Sequence, residues 1–172
     1  MLKTPSRAMI TFTLGSMLLV VGTIFAEKLT PTAEEQKSAQ VVCQLIHRFH
    51  ISRRKIDDEI SAAMLKRYLQ VLDPQKAYFT QADIDEFEKS RLLLDDQIIK
   101  GDLTFAFKAF DRYLVRLDQR VATARKWVRA KHDFTLDEEL VIDRDTLKWP
   151  ADKAQADERW RKRIKYQLLT KK

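Results

Sequence analysis

The sequence predicts an all-α fold, an antiparallel helical bundle of about five helices with an irregular or short extended arm around residues 132–150. Three observations predict it. From Phe107 to Val128, apolar residues fall alternately three and four apart (Phe107, Phe110, Leu114, Leu117, Val121, Ala124, Val128), the seam of a long helix packed nearly antiparallel to its neighbours. Helix start and stop signals recur along the chain at helix-length intervals. Of the three glycines, Gly15 and Gly22 precede residue 26, so Gly101 is the only one in 27–172. Phosphate, oxyanion and carboxylate-binding loops mostly need several glycines.

The elements follow in order. Lys3 and Arg7 precede an apolar run from Met9 to Phe25 that ends at Ala26. Positive, apolar and small-residue regions in that order predict a secretory signal peptide over 1–26, cleaved after Ala26. The alternative is a retained membrane anchor, for which the run is at the lower limit for crossing about 30 Å of hydrocarbon. Cleavage leaves a domain of 27–172, exported to a bacterial periplasm and without a stable membrane span. Cys43 is the only cysteine, so the fold rests on packing rather than on an internal disulfide.

Thr32 with Glu35 forms a capping box, and a helix follows to about His50 with Val42, Leu45, Ile46 and Phe49 on one face. A second helix runs from about Asp57 to Leu72, with Ile60, Ala63, Met64, Arg67 or Tyr68, and Val71 facing inward. Asp73-Pro74 stops it, because proline disfavours helical geometry in the residue before it. Thr80 and Asp83 cap the third helix, with Phe79 and Ile84 placed to form its hydrophobic staple. That helix reaches Lys100, where Gly101 supplies a left-handed C-cap. The fourth runs from about Leu103 to Lys131. In the arm, Leu140-Val141-Ile142 reads as a short strand or an extended segment. Trp149-Pro150 ends the arm, and Asp152 with Gln155 caps a last helix with Trp160, Ile164 and Leu168 on its apolar face.

The net charge of +7 divides into +2 from residues 1–26, +5 from 157–172 and none from the body between. A body with no net charge is a poor nucleic-acid binder, and no nucleic-acid partner is expected. Cys43, His47 and His50 share one helical face, and thiolate and imidazole are zinc ligands. A fourth ligand is not obvious, so they read as a core cysteine beside two histidines, with no metal and no cofactor. Asp57, Asp58 and Glu59 suit a helix start, and Asp95 and Asp96 point to different faces, so neither group reads as a catalytic carboxylate pair. None of the six Ser residues sits in a glycine-bearing elbow. The basic run Arg159-Trp160-Arg161-Lys162-Arg163 is either a solvated face around a buried Trp or a membrane-surface element.

An ordered set of blocks then resembles one family. Leu72-Asp73-Pro74, Lys76, Tyr78-Phe79, Asp83-Ile84 and Phe87 are followed by Gly101-Asp102-Leu103. Asp133-Phe134-Thr135, Asp137-Glu138, Asp143-Arg144, Trp149-Pro150, Trp160-Arg161-Lys162-Arg163 and Lys165 come after them in the same order. Together they resemble the N-terminal helical domain of bacterial tail-specific, or carboxy-terminal processing, proteases, across about residues 40–168. One departure is Ile51, where the family often has an aromatic.

The resemblance implies a following PDZ domain and a serine protease domain with a Ser/Lys dyad, neither of which falls within these residues. It therefore implies a non-catalytic scaffold or interaction domain, in a truncated product or fragment, touching protein substrates only indirectly. Its partners would be an adaptor lipoprotein or the protease and PDZ domains of a full-length relative. A stand-alone periplasmic binding protein that docks a protease or its adaptor is the alternative, and an enzyme in its own right is a third reading. In the first of these, Trp160, Ile164 and Leu168 would await a partner.

Overall fold

The computed structural model describes residues 29–51 and 55–171. The segment 1–26 read as a signal peptide lies outside them. Six helices occur among the described residues: α1 (Ala33–Phe49), α2 (Asp58–Leu72), α3 (Gln81–Glu88), α4 (Leu94–Ile99), α5 (Thr104–Arg129) and α6 (Lys153–Leu169). The fold is all-α. α1 and α2 both pack on α4, and α5 runs along α6.

The capping residues act where the sequence puts them. Thr32 and Glu35 form a complete box at the start of α1, Asp57 Oδ1 accepts the Ile60 amide 3.1 Å away, and Asp152 Oδ1 accepts that of Gln155 at 2.8 Å. Each accepted bond satisfies an amide that the helix's own ladder cannot reach. Gly101 sits at φ +76°, where an added Cβ would lie 2.8 Å from the Gln36 carbonyl oxygen of α1. Glycine is therefore needed twice, for its backbone angle and for the close approach of α1. The amide of Gln40 donates to the Lys100 carbonyl beside it at 2.7 Å, fixing α1 to the end of α4.

The core is small and sits between α2, α3 and the start of α5. Leu65, Leu69, Phe79, Ile84, Phe87, Leu94 and Ala109 are buried there, with Tyr68, Phe105, Tyr113 and Trp149 packed against them. Phe79 is its centre. It makes edge contacts with Phe87, Tyr113 and Trp149 at 5.4, 6.1 and 6.1 Å between ring centres. Both halves of the expected staple, Phe79 and Ile84, belong to this cluster.

Several expectations are corrected. The third helix is not continuous to Lys100: it breaks over residues 89–93. The amides of Ser90, Arg91 and Leu93 close onto carbonyls only three residues back. No Pro or Gly marks the break. Its cause is Ser61 of α2, fully buried, whose Oγ accepts the Leu94 amide at 2.8 Å and the Asp95 amide at 3.4 Å and so caps α4 from another helix. The inward face of α2 is Ser61, Leu65 and Leu69, whereas Ala63, Arg67 and Val71 are exposed.

The seam of α5 is turned aside. Ala109, Tyr113, Arg116 and Arg120 face the bundle, and the Phe107–Val128 seam lies roughly a third of a turn round the helix. Most of its residues are half-buried, and Val121 and Val128 are exposed. The face of α1 expected to pack is likewise outside, with Phe49 73% exposed. Residues 140–142 form neither helix nor strand. On α6 the expected face does pack, with Ile164 buried and Trp160 and Leu168 half-buried, so it is not left awaiting a partner.

Replacing Phe79 with Ala should cost about 3–5 kcal/mol of unfolding free energy, the range for aromatic truncation in a core that cannot collapse. Urea titration followed by circular dichroism checks it. A loss under about 0.5 kcal/mol, the scale of surface substitutions, would mean that the aromatic cluster does not carry the core.

Candidate functional site

Many of the blocks picked out in the sequence converge on the turn after α2. The Asp73 amide closes the last turn of α2 on Leu69 at 2.9 Å, and Pro74 prevents continuation. The Asp73 carboxylate, 1% exposed, then gathers the returning chain. Oδ1 accepts the Ala77 amide at 2.7 Å, and Oδ2 accepts those of Tyr78 and Phe79 at 2.8 and 3.0 Å. Burial pushes this carboxyl above the usual range, opposed by those three amides and by the nearby Arg159 guanidinium.

Lys76 lies inside this loop at φ +47°, left-handed geometry that costs a non-glycine residue roughly 1–2 kcal/mol. Glycine would adopt it freely, but only lysine brings the ammonium that donates to the Leu147 carbonyl of the arm. The loop's carbonyls are taken up from α6. Arg159 donates to Lys76 O and to Lys148 O, both at 2.9 Å, and Trp160 Nε1 donates to Ala77 O at 2.8 Å. Tyr78 packs between Tyr113 and Trp160, with ring centres 5.2 and 5.9 Å away. The Pro150 carbonyl accepts the Gln81 amide at 2.8 Å, closing the arm onto the start of α3.

Asp83 is the second anchor. Oδ2 accepts the Thr80 amide and hydroxyl, each at 2.9 Å, which supplies the reach-back half of the predicted cap. The same carboxylate is clamped by two arginines of α5. Arg112 Nη1 lies 2.6 Å from Oδ1, and Arg116 is bidentate, Nε to Oδ2 at 2.8 Å and Nη2 to Oδ1 at 2.9 Å. Burial acts to raise its pKa, but Arg116, the Thr80 amide and Arg112 outweigh it and hold the carboxyl well below the usual range.

A third cluster joins α5, α6 and the arm. Arg120 has a fully buried side chain and donates to Asp157 Oδ1 at 2.8 Å, which also accepts Thr123 Oγ1 at 3.2 Å. Burial pulls the Arg120 guanidinium below its usual pKa while Asp157 opposes. On the arm, Glu138 pairs with Arg161 and Lys165 of α6, and these bonds lower its pKa to about 2. Lys165 Nζ also donates to Leu136 O at 3.2 Å, and Lys162 Nζ to Glu139 O at 3.3 Å.

Of the blocks read from the sequence, Asp73, Lys76, Tyr78, Phe79, Asp83, Phe87, Trp149, Pro150, Trp160, Arg161 and Lys162 meet in this lattice or the core beneath it. Leu72 is half-buried against that core, Pro74 is exposed, and Arg163 stacks 5.9 Å from the Trp160 ring. Gly101 lies apart, at the contact of α1 with α4. Asp143 and Arg144 are exposed. Asp143 Oδ1 accepts the Asp145 amide at 3.0 Å and so shapes a turn in the arm, while Arg144 lies 3.9 Å from Asp145 at the surface. Cys43 is buried whereas His47 and His50 are exposed, and no metal-capable group of three acids, His or Cys occurs among the described residues.

Sequence reasoning missed Ser61, Arg112, Arg116, Arg120 and Asp157. The spacing of four along Arg112, Arg116 and Arg120 was a usable signal. It marks a cationic line beside the apolar seam, though only the position of Asp83 and Asp157 shows that this line is the inward one. Chemically the lattice fixes geometry. Its carboxylates are committed to amides and cations, so they hold one turn, one arm and three helices in a single arrangement.

Asp83→Asn should cost about 3 kcal/mol, near the lower end for breaking a buried pair because both arginines keep some contact with water. A carboxyl whose folded pKa is depressed stabilises fully above its unfolded pKa, about 3.9, and progressively less as pH falls through its folded value. The acid limb of stability below about pH 4 should therefore be shallower in Asp83→Asn than in the parent, as read by urea midpoints between pH 2 and 6. Superimposable acid limbs would show that the clamp is not coupled to folding.

Among the described residues no helix is long and apolar enough to cross a membrane. The chain is 29% identical over 140 residues to the tail-specific protease of Haemophilus influenzae, an alignment covering 81% of this chain and 20% of that protein. The chain thus spans about a fifth of the length of this relative. A family model described as the tail specific protease N-terminal domain matches residues 42–172, which include the Asp73 turn, the Asp83 clamp and the α5–α6 lattice. The chain belongs to the tail-specific protease N-terminal domain family.

Proposed function

We propose that this domain is the non-catalytic scaffold of a tail-specific serine protease that acts on exported proteins in the bacterial periplasm. In this reading it is a rigid frame carrying PDZ and Ser/Lys protease domains. It meets substrates only through them, offers outer surface to an adaptor lipoprotein, and requires no cofactor. One observation supports the reading most. Asp73, Lys76, Asp83, Trp160 and Arg161, all from the family-like blocks, are engaged in fastening the turn and the arm to α5 and α6. Polar side chains committed in this way favour rigidity over reactivity, and rigid supports are what a neighbouring catalytic unit needs to hold its geometry.

A chimaera tests it. In the Haemophilus influenzae relative, the 140 matched residues are replaced by their counterparts from this chain. Cleavage of a reporter ending in apolar residues should stay within about ten-fold of the parent, a difference of about 1.4 kcal/mol in the barrier. The relative without the segment should lose at least that much, and this chain alone should cleave nothing. Cleavage by the chain alone would overturn the non-catalytic assignment. Full activity without the segment would overturn the scaffold role.

A further inference from the structure

Two residues of the family-like blocks, Asp143 and Arg144, take no part in the core or in the bonds that fasten the arm, and both are exposed. Their place on the arm gives them a use. Just beyond them the arm is held by Lys76, which donates to Leu147 O, and by Arg159, which donates to Lys148 O. Asp143 builds the turn that leads into those anchors. Its Oδ1 accepts the Asp145 amide at 3.0 Å, and its carbonyl accepts the Thr146 hydroxyl at 3.0 Å and the Leu147 amide at 3.2 Å. Arg144, carried on this turn, forms part of the wall of a cleft of about 610 Å³ between α2, the end of α3 and the arm.

We propose that this cleft binds a polypeptide segment rich in acidic residues, with an apolar side chain among them. Lys66, Arg67, Lys76, Arg91 and Arg144 line it, against the acids Asp73, Glu88 and Asp145. Asp73 is already committed to three backbone amides. Lys66, Arg67 and Arg91 are exposed and have no ion pair among the described residues. Arg144 reaches only Asp145, at 3.9 Å. A body without net charge thus gathers unanswered cations in one cleft, and such a cleft selects a ligand of opposite charge.

The rest of the lining sets the rest of the ligand's chemistry. The buried Leu69 and Ile84 and the half-buried Trp149 also line the cleft, deeper than the exposed cations. An aliphatic or aromatic side chain can therefore be buried there while carboxylates meet the cations of the rim. Arginine binds a carboxylate through two parallel hydrogen bonds, which adds geometry to attraction, and arginine clusters are a recurring means of reading acidic motifs. Glu88 and Asp145 stand among the cations. That disfavours a dense phosphate group and suits carboxylates spaced along a chain. The volume lies within the roughly 300–1,000 Å³ typical of binding sites. This inference does not rest on the scaffold reading, and its test needs no protease.

Fluorescence anisotropy on the purified chain tests it, with a short rhodamine-labelled peptide of glutamates around one leucine and one phenylalanine. The same peptide with glutamine for glutamate is the control. The acidic peptide should bind with a Kd below about 100 μM at low ionic strength, and about ten-fold more weakly at about 1 M salt, where screening acts within about 3 Å. Arg91→Glu and Arg144→Glu alter exposed residues, so each should keep the parent's helical circular dichroism and weaken binding about ten-fold. Lys37→Glu, exposed on α1 outside the cleft, should leave the Kd within about two-fold. Asp143 separates position from charge. Asp143→Ala removes an acid, which by charge alone would tighten binding, but it also removes the acceptor of the turn and should weaken binding about five-fold. Asp143→Asn keeps an Oδ1 acceptor and should bind at least as well as the parent. No binding of the acidic peptide, equal binding of the glutamine peptide, or a loss in Lys37→Glu as large as in Arg91→Glu overturns the proposal. Tighter binding by Asp143→Ala overturns the positioning of Arg144 by the turn. Capture of phosphatidylglycerol vesicles in place of the peptide, lost in Arg91→Glu and Arg144→Glu, overturns the proposal too and would make the cleft a site for lipid phosphate.

Discussion

The fold depends on what the Asp73 carboxylate does in the first turn after α2. Moving a carboxylate to a site 1% exposed carries a large desolvation cost, which only strong local bonds can offset. Asp73 finds three, the amides of Ala77, Tyr78 and Phe79. Those amides need it equally, because a buried N–H without an acceptor costs about 1–3 kcal/mol. With the three amides tied to one side chain, the loop has a single geometry. That geometry turns Phe79 into the core and presents the Lys76 and Ala77 carbonyls to α6. The aromatic cluster, the seating of Trp160 and the tether of the arm all follow from it.

From that turn outward the molecule is joined more by charge than by oil. α5 meets its neighbours through Arg112, Arg116 and Arg120, answered by Asp83 and Asp157. Buried ion pairs contribute little net stability compared with apolar packing of the same volume, but breaking one is costly, so they tolerate few alternative arrangements. A bundle joined this way is specific rather than strongly apolar inside. Because the arginine line occupies the inward face of α5, the apolar seam of that helix is pushed to the flank. The same economy leaves the apolar face of α1, with Val42, Leu45 and Phe49, exposed.

Local signals were legible wherever a residue acts on its immediate neighbours. Thr32, Asp57 and Asp152 cap helices because each side chain reaches an amide three residues on. Pro74 stops α2 by its ring. Gly101 was legible for its backbone angle, although its second role, admitting α1 to within van der Waals contact, needs the position of another helix. The break over residues 89–93 was not legible, since the cap that permits it is Ser61, some thirty residues earlier. The inward face of α5 was misread because hydrophobic periodicity assumes that the most apolar stripe is the buried one. Arginines committed to buried carboxylates defeat that assumption.

Sequence alone determined the all-α class, the ends of most helices, the core position of Phe79, the helix cap at Thr80 and Asp83, and the blocks that mark the family. All of these rest on short-range chemistry: hydrogen bonds across three or four residues, ring geometry, and the presence of large apolar side chains. Tertiary structure alone decided which faces point inward, where the third helix breaks, and which cation answers which acid. The physical reason is that a charge is buried only when its partner is already in place. Which stripe of a helix goes inside is therefore fixed by residues far away in the chain, and no local pattern carries that information.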